Sequence, residues 1–136
     1  MEVQVNYVAV LLAGLSSMIV GSIWYMPGVF GKSWAKLSKA KMDGSPAIYV
    51  ATLVASLVTA YILAHVTYLS NSFFKDSFLQ DALTTAFWLW LGFTAARLLV
   101  HDLFEGRRKK LFLINAAHEL VTVLVMALII GALGVK

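Results

Sequence analysis

The side chains best suited to chemistry lie in two apolar stretches of the second half of the chain. Trp90, Thr94, Arg97 and His101 recur at i, i+4, i+7 and i+11, a spacing that places them on one helix face. Asn115, His118, Glu119 and Thr122 gather in the same way on the next stretch. At a rise of about 1.5 Å per residue, Arg97 lies roughly 10 Å inside a boundary at Phe104, and Glu119 roughly 12 Å inside one at Leu111. An unpaired charge at such a depth in a bilayer costs about 2.5–3.5 kcal/mol even on the lenient insertion scale. The spacing therefore predicts an Arg97–Glu119 ion pair, with Asn115, His118 and His101 meeting the remaining donors and acceptors. Three uses of such a cluster compete. It can lock the register of two antiparallel helices, with Arg97 partly snorkelling to water. It can carry protons or ions, because His and Glu in a low-dielectric site change charge near neutral pH. It can hold a metal or do catalysis with His101, Asp102, His118 and Glu119. The lock is preferred, since pairing alone accounts for both charges. The chain has no cysteine, no HExxH, no nucleophile elbow and no glycine-rich phosphate loop. Neither a catalytic residue, a metal nor a cofactor is expected.

Those residues must be positioned by apolar helices. Of 136 residues, 60% are hydrophobic and only 13% charged, and the mean hydropathy is +0.81. A soluble domain carries roughly 25% charged residues, and a chain this short has too little interior to hide such an apolar excess. The composition points to an integral membrane protein. No Asp, Glu, Lys or Arg occurs between Glu2 and Lys32 or between Asp43 and Lys75. With about 20 apolar residues needed per span, the pattern predicts four helices at about 6–26, 47–69, 81–104 and 111–134 in a single all-α domain. The first lacks a basic leader and is too long for a cleaved signal.

The basic residues predict the orientation. Lys32, Lys36, Lys39 and Lys41 lie between the first two helices, and Arg107, Arg108, Lys109 and Lys110 between the last two. The middle connection has one basic residue, Lys75, with Asp76 and Asp81 beside it. By the positive-inside rule loops 27–46 and 105–110 face the cytoplasm and both termini face outward. The net charge of +4 fits anionic headgroups better than nucleic acid, which is not an expected partner. Phe30, Trp34 and Leu37 at i, i+4, i+7, beside Lys32, Lys36 and Lys39, predict a short amphipathic helix on the membrane surface. Its lysines would meet headgroups while Phe30 and Trp34 sink into the interface.

Small residues mark helix contacts in lipid, where close approach replaces the hydrophobic effect. Ala9, Ala13, Ser17 and Gly21 form such a ladder on the first helix, and Thr52, Ser56 and Thr59 another on the second. Both are read as packing faces of the bundle or of an oligomer. Tyr61, His65 and Tyr68 form an aromatic belt near the outer end of the second helix.

The chain also resembles a known group. Asn6-Tyr7, Trp24-Tyr25-Met26-Pro27 with Phe30-Gly31-Lys32 and Trp34, Leu103-Phe104-Glu105-Gly106-Arg107, and Leu111-Phe112-Leu113-Ile114-Asn115 followed by His118 are similar to the small bacterial four-helix membrane proteins termed domain of unknown function 1761. The resemblance implies a four-helix membrane domain and supplies no activity, substrate or cofactor. It marks Trp24, Tyr25, Pro27, Gly31, Lys32, Trp34, Phe104, Glu105, Gly106 and Arg107 as a candidate surface at the cytoplasmic end, with Asn115 and His118 on the last helix. Arg97 and Glu119 stand outside the motif.

The sequence thus predicts a non-enzymatic accessory, interaction or structural subunit of the bacterial inner membrane, self-associating or bound to a larger complex. The alternative is a small oligomeric proton- or ion-coupled transporter or channel using Arg97, His118 and Glu119. An enzyme acting on a lipid or quinone ranks third.

Overall fold

The structure is a computed structural model that describes residues 2–41 and 44–135. Met42 and Asp43, within the basic loop 27–46, lie outside the described residues. Five helices and no strand are present among the described residues. Four of them, α1 (Tyr7–Trp24), α3 (Pro46–Phe74), α4 (Phe78–Glu105) and α5 (Lys109–Leu133), are long and apolar enough to cross a membrane. The fifth, α2 (Lys32–Ser38), is the short helix expected in the first connection.

Local chemistry sets the helix ends. The Asn6 side chain accepts a hydrogen bond from the Ala9 amide and starts α1; Ser45 and Ser77 do the same for α3 and α4 through Ala47 and Gln80. Pro46 occupies the first turn of α3, where its missing N–H costs nothing. Met26 is extended, as a residue before proline prefers, and breaks α1 from the wide π-helical turn Pro27–Gly31 that leads into α2. At the end of α4, Gly106 takes a left-handed conformation (φ 68°), and the Arg107 amide donates to the Asp102 carbonyl at 2.9 Å. α3 and α4 outrun the predicted spans because serine caps and polar turn residues, not the last apolar residue, decide where they stop.

The four long helices form a ring in which α5 lies between α1 and α4, and α3 touches α1 and α4. The core is built from small residues at the end bearing the termini and the α3–α4 turn: Ala9, Val10 and Ala13 on α1, Ala60, Leu63 and Ala64 on α3, Ala82 and Ala86 on α4, and Met126, Ala127 and Ile130 on α5. Gly131 lets α4 approach so closely that an added Cβ would stand 2.7 Å from the Leu79 Cα. Of the predicted α1 ladder, Ala9, Ala13 and Ser17 are buried.

The other end, which carries the basic loops, is not packed in this way. No residue of α3 before Ala60 is buried, and past Ala95 the only buried residue of α4 is Asp102. Thr52, Ser56 and Thr59 therefore do not form a packing face within the bundle. They line an opening where α3 stands off from α5.

Midway along α4, Trp90–Ala95 is a π-helical turn. Such a turn inserts about one extra residue and advances the following face by roughly 100°. The interior face moves from the predicted 94, 97 and 101 to Ala95, Leu98 and Asp102. Ala95 and Asp102 are buried, Leu98 lines a cavity, and Arg97 and His101 are exposed.

Candidate functional site

Asn115, His118, Glu119 and Thr122 form one stripe on α5, as their spacing predicts, and what meets that stripe is the end of α1. The Tyr25 hydroxyl donates to Asn115 Oδ1 at 2.8 Å, and the Tyr25 ring stacks obliquely on His118, centroids 4.9 Å apart. Trp24 lies 6.2 Å from the same imidazole, while its indole N–H donates to the Ile114 carbonyl at 3.1 Å. From the other side of α5, the Trp90 indole donates to the Ala116 carbonyl at 2.9 Å. Two residues along a helix are about 200° apart, so the two tryptophans grip α5 from opposite sides at the level of the site. The Trp90 bond also explains what holds the π-helical turn in register.

The π-helical turn Pro27–Gly31 brings α2 back over this cluster. An ordinary side chain at Gly31 would run into the Tyr25 carbonyl oxygen and stand 2.8 Å from the Met26 carbonyl carbon. Glycine here permits a close backbone approach that sets Trp34 edge-on to Tyr25, with centroids 5.4 Å apart. Phe30 packs on Trp24 at 4.7 Å. On α2 and at its end Lys32, Lys36 and Lys39 are exposed, whereas Trp34, expected to sink into the interface, turns onto the bundle. The aromatic edge finds Tyr25 as a partner, which the loop sequence alone does not reveal.

His118 sits between two acceptors. Its Nδ1 lies 3.5 Å from Glu119 Oε1, and its Nε2 lies 3.3 Å from Thr122 Oγ1. The same Thr122 hydroxyl is 2.8 Å from the His118 carbonyl and can donate to it. When it does, Oγ1 can only accept from Nε2–H, and the ring satisfies both neighbours by carrying a proton on each nitrogen. When it donates to Nε2 instead, a neutral ring with Nδ1–H faces the carboxylate.

The predicted Arg97–Glu119 ion pair is not formed. The π-helical turn rotates Arg97 and His101 to the outside, and no Lys or Arg side chain pairs with Glu119 among the described residues. Asp102 takes the interior position instead: it is 5% exposed, and its Oδ2 has no hydrogen-bond partner among the described residues. Mid-span Gly92 is the one sequence signal of a disturbed helix there; it does not specify a π-helical turn. Among the described residues no three of His, Cys, Asp and Glu come together as metal ligands.

Two cavities flank the cluster and share Tyr25, Trp34, His118 and Glu119 as their common wall. The smaller, about 490 Å³, reaches Arg107 and Asn115. The larger, about 820 Å³, lies between α1, α3 and α5 and is lined by Gly21, Tyr49, Thr52, Ser56 and Thr59, with Met126 toward the core and Lys41 at the loop end. Gly21 leaves room for the imidazole: a Cβ there would be 3.6 Å from His118 Nε2.

A model of the family described as protein of unknown function, DUF1761, matches residues 8–131. The chain belongs to the DUF1761 family. No curated protein and no solved structure matches it. The positions that carried the resemblance divide in two within the fold. Trp24, Tyr25, Trp34, Asn115 and His118 turn inward to build the site, and Pro27 and Gly31 shape the turn that closes it. Lys32, Phe104, Glu105 and Arg107 stay on the surface; Phe104 is 91% exposed, and Arg107 Nε holds Glu105 Oε2 at 2.6 Å across the Gly106 cap.

Proposed function

We propose that this DUF1761 member is a non-enzymatic, multi-pass protein of the bacterial inner membrane that binds a small molecule in the cavity between α1, α3 and α5. The observation that carries this reading is an open 820 Å³ cavity lined by an imidazole and by a carboxylate that pairs with no Lys or Arg among the described residues. Its size lies within the range of about 300–1,000 Å³ typical of ligand sites. Hydroxyls and aromatic rings set in apolar walls suit orientation of a ligand. The basic loops face the cytoplasm, where Lys32, Lys36 and Lys39 meet anionic headgroups. A second reading, proton- or ion-coupled transport, draws on the position of His118 between the Thr122 hydroxyl at Nε2 and the Glu119 carboxylate near Nδ1. The titratable groups facing that ring are Tyr25 from α1 and Glu119 from α5.

The chain's lack of cysteine makes the test direct. Single cysteines at Ser56 and Ala64, one in the cavity and one in the core, are treated in inside-out vesicles with a membrane-impermeant thiosulfonate. Cysteine at Ser56 should react and at Ala64 should not; equal protection at both overturns the cavity reading. Cysteines at Ser77 and Lys109 give the orientation. Labelling of both from one side overturns the topology.

A further inference from the structure

We propose that the ligand of the larger cavity is an organic cation with an apolar body, an amine or quaternary onium, bound with its charge between Glu119 and the rings of Tyr25 and Trp34. The proposal rests on the cavity reading above and adds the sign and chemistry of the ligand. Three observations carry it.

The first is the state of Glu119. It lies well inside a helix long enough to span a membrane, lines both cavities, and has no Lys or Arg partner among the described residues. A charged side chain within a span is costly unless it finds a partner of opposite charge. Arg97, well inside its span unlike Lys109 and Lys110 at the start of α5, is exposed on the far side of the π-helical turn. His118 at 3.5 Å offers a charge only when protonated.

The second is the aromatic wall. Tyr25 and Trp34 meet edge to face at 5.4 Å and both line the cavity beside Glu119; Tyr49 of α3 lines it as well. Ring faces of Trp and Tyr attract cations, and quaternary ammonium groups are the ligands such clusters recognise. An anionic ligand would meet the carboxylate and the negative ring faces together.

The third is where the positive charge stands. Among the described residues the larger cavity is lined by one Lys or Arg side chain, Lys41 at the loop end, and it forms no ion pair with Glu119. Arg107, which lines the smaller cavity, is held by Glu105 at 2.6 Å. Along the walls, Thr52, Ser56 and Thr59 present hydroxyl groups between apolar positions. The cavity therefore has one carboxylate in a largely apolar lining, which selects for charge at one point and hydrocarbon around it.

The test compares tetraphenylphosphonium with tetraphenylborate, ions of one shape and opposite charge, by calorimetry on the full chain in detergent. A Ser56→Trp variant, which fills the cavity, subtracts partition into micelles. Tetraphenylphosphonium should bind saturably to the wild type and tetraphenylborate should not. Glu119→Gln should weaken the cation at least about tenfold, the scale of one charge-assisted contact. Trp34→Leu should weaken it less, and Trp88→Leu, 62% exposed and remote from the cavity, not at all. Equal binding of both ions, or cation binding indifferent to Glu119→Gln, overturns the cation proposal and leaves a ligand cavity standing. Binding of neither ion, with cysteine at position 56 reactive to thiosulfonate, also overturns the cation proposal alone. Binding of neither ion with that cysteine unreactive overturns the cavity reading beneath it.

Discussion

Gly28 and Gly31 lie three residues apart in one π-helical turn, and replacing each with alanine separates conformation from contact. Neither has a positive φ, and Gly31 has helical angles (φ −61°, ψ −40°), so alanine is conformationally acceptable there. On propensity alone it would gain up to about 1 kcal/mol. At Gly28 nothing lies within 4 Å of an added Cβ, so Gly28→Ala should be neutral or slightly stabilising. At Gly31 the Cβ would stand 2.8 Å from the Met26 carbonyl carbon, and closer still to the Tyr25 carbonyl oxygen. Ordinary contact begins near 3.4 Å, so the backbone must open by at least 0.6 Å against main-chain atoms that cannot rotate aside. Overpacking of this kind costs about 1–3 kcal/mol. The difference between the two variants cancels the propensity gain and reads the contact alone. The cheapest relief is for α2 to lift and take Trp34 off Tyr25. A cost of 1–3 kcal/mol raises the population of that lifted state roughly 5- to 150-fold. Fluorotryptophan labelling with fluorine NMR in micelles resolves this, because the chain has four tryptophans. Gly31→Ala should move or broaden the Trp34 resonance and spare that of Trp88, while Gly28→Ala leaves both in place. Identical spectra for the two variants would refute the close-approach argument and the role assigned to the turn.

Three further outcomes follow from the packing. Trp90→Phe removes the indole donor to the Ala116 carbonyl and should cost about 1 kcal/mol, read as a lower unfolding midpoint in detergent; an unchanged midpoint would mean the bond does not hold the π-helical turn. Asn71→Leu strips the side chain that donates to buried Asp81 at 2.7 Å and to the Asp76 carbonyl at 2.8 Å, and should destabilise the α3–α4 turn by about 1–3 kcal/mol, seen as faster amide exchange near Ser77. Arg97→Ala should change stability by less than about 0.5 kcal/mol, because the side chain is exposed and has no ion-pair partner among the described residues; a loss above 2 kcal/mol would restore the paired reading.

Much of the site was legible in pieces and illegible as a whole. The α5 stripe of Asn115, His118, Glu119 and Thr122 follows directly from helical spacing, and the structure keeps it intact. The aromatic motif at the end of α1 reads from sequence as a surface at the membrane boundary, because nothing local says that Tyr25 reaches Asn115 ninety residues away. The pairing of Arg97 with Glu119 was argued from depth and spacing. What failed was the assumption of an unbroken 3.6-residue turn through Trp90–Ala95. One inserted residue exchanged Arg97 and His101 for Leu98 and Asp102.

Composition and the order of charges were enough to determine four long apolar helices, the short basic helix between the first two, and two basic connections at one end. These depend on how many apolar residues occur in a row and on where proline, glycine and serine interrupt them, which are local properties. Only the tertiary structure decided which faces meet. It packed the small residues of α1, α3, α4 and α5 into a core at one end and left the threonine and serine stripe of α3 open at the other. It also turned Trp24, Tyr25 and Trp34 inward onto His118. The physical reason is that a helix face is a sum over every residue before it, so one π-helical turn reassigns all that follows. A cavity, likewise, is the space left when distant helices fail to converge, and no single segment encodes it.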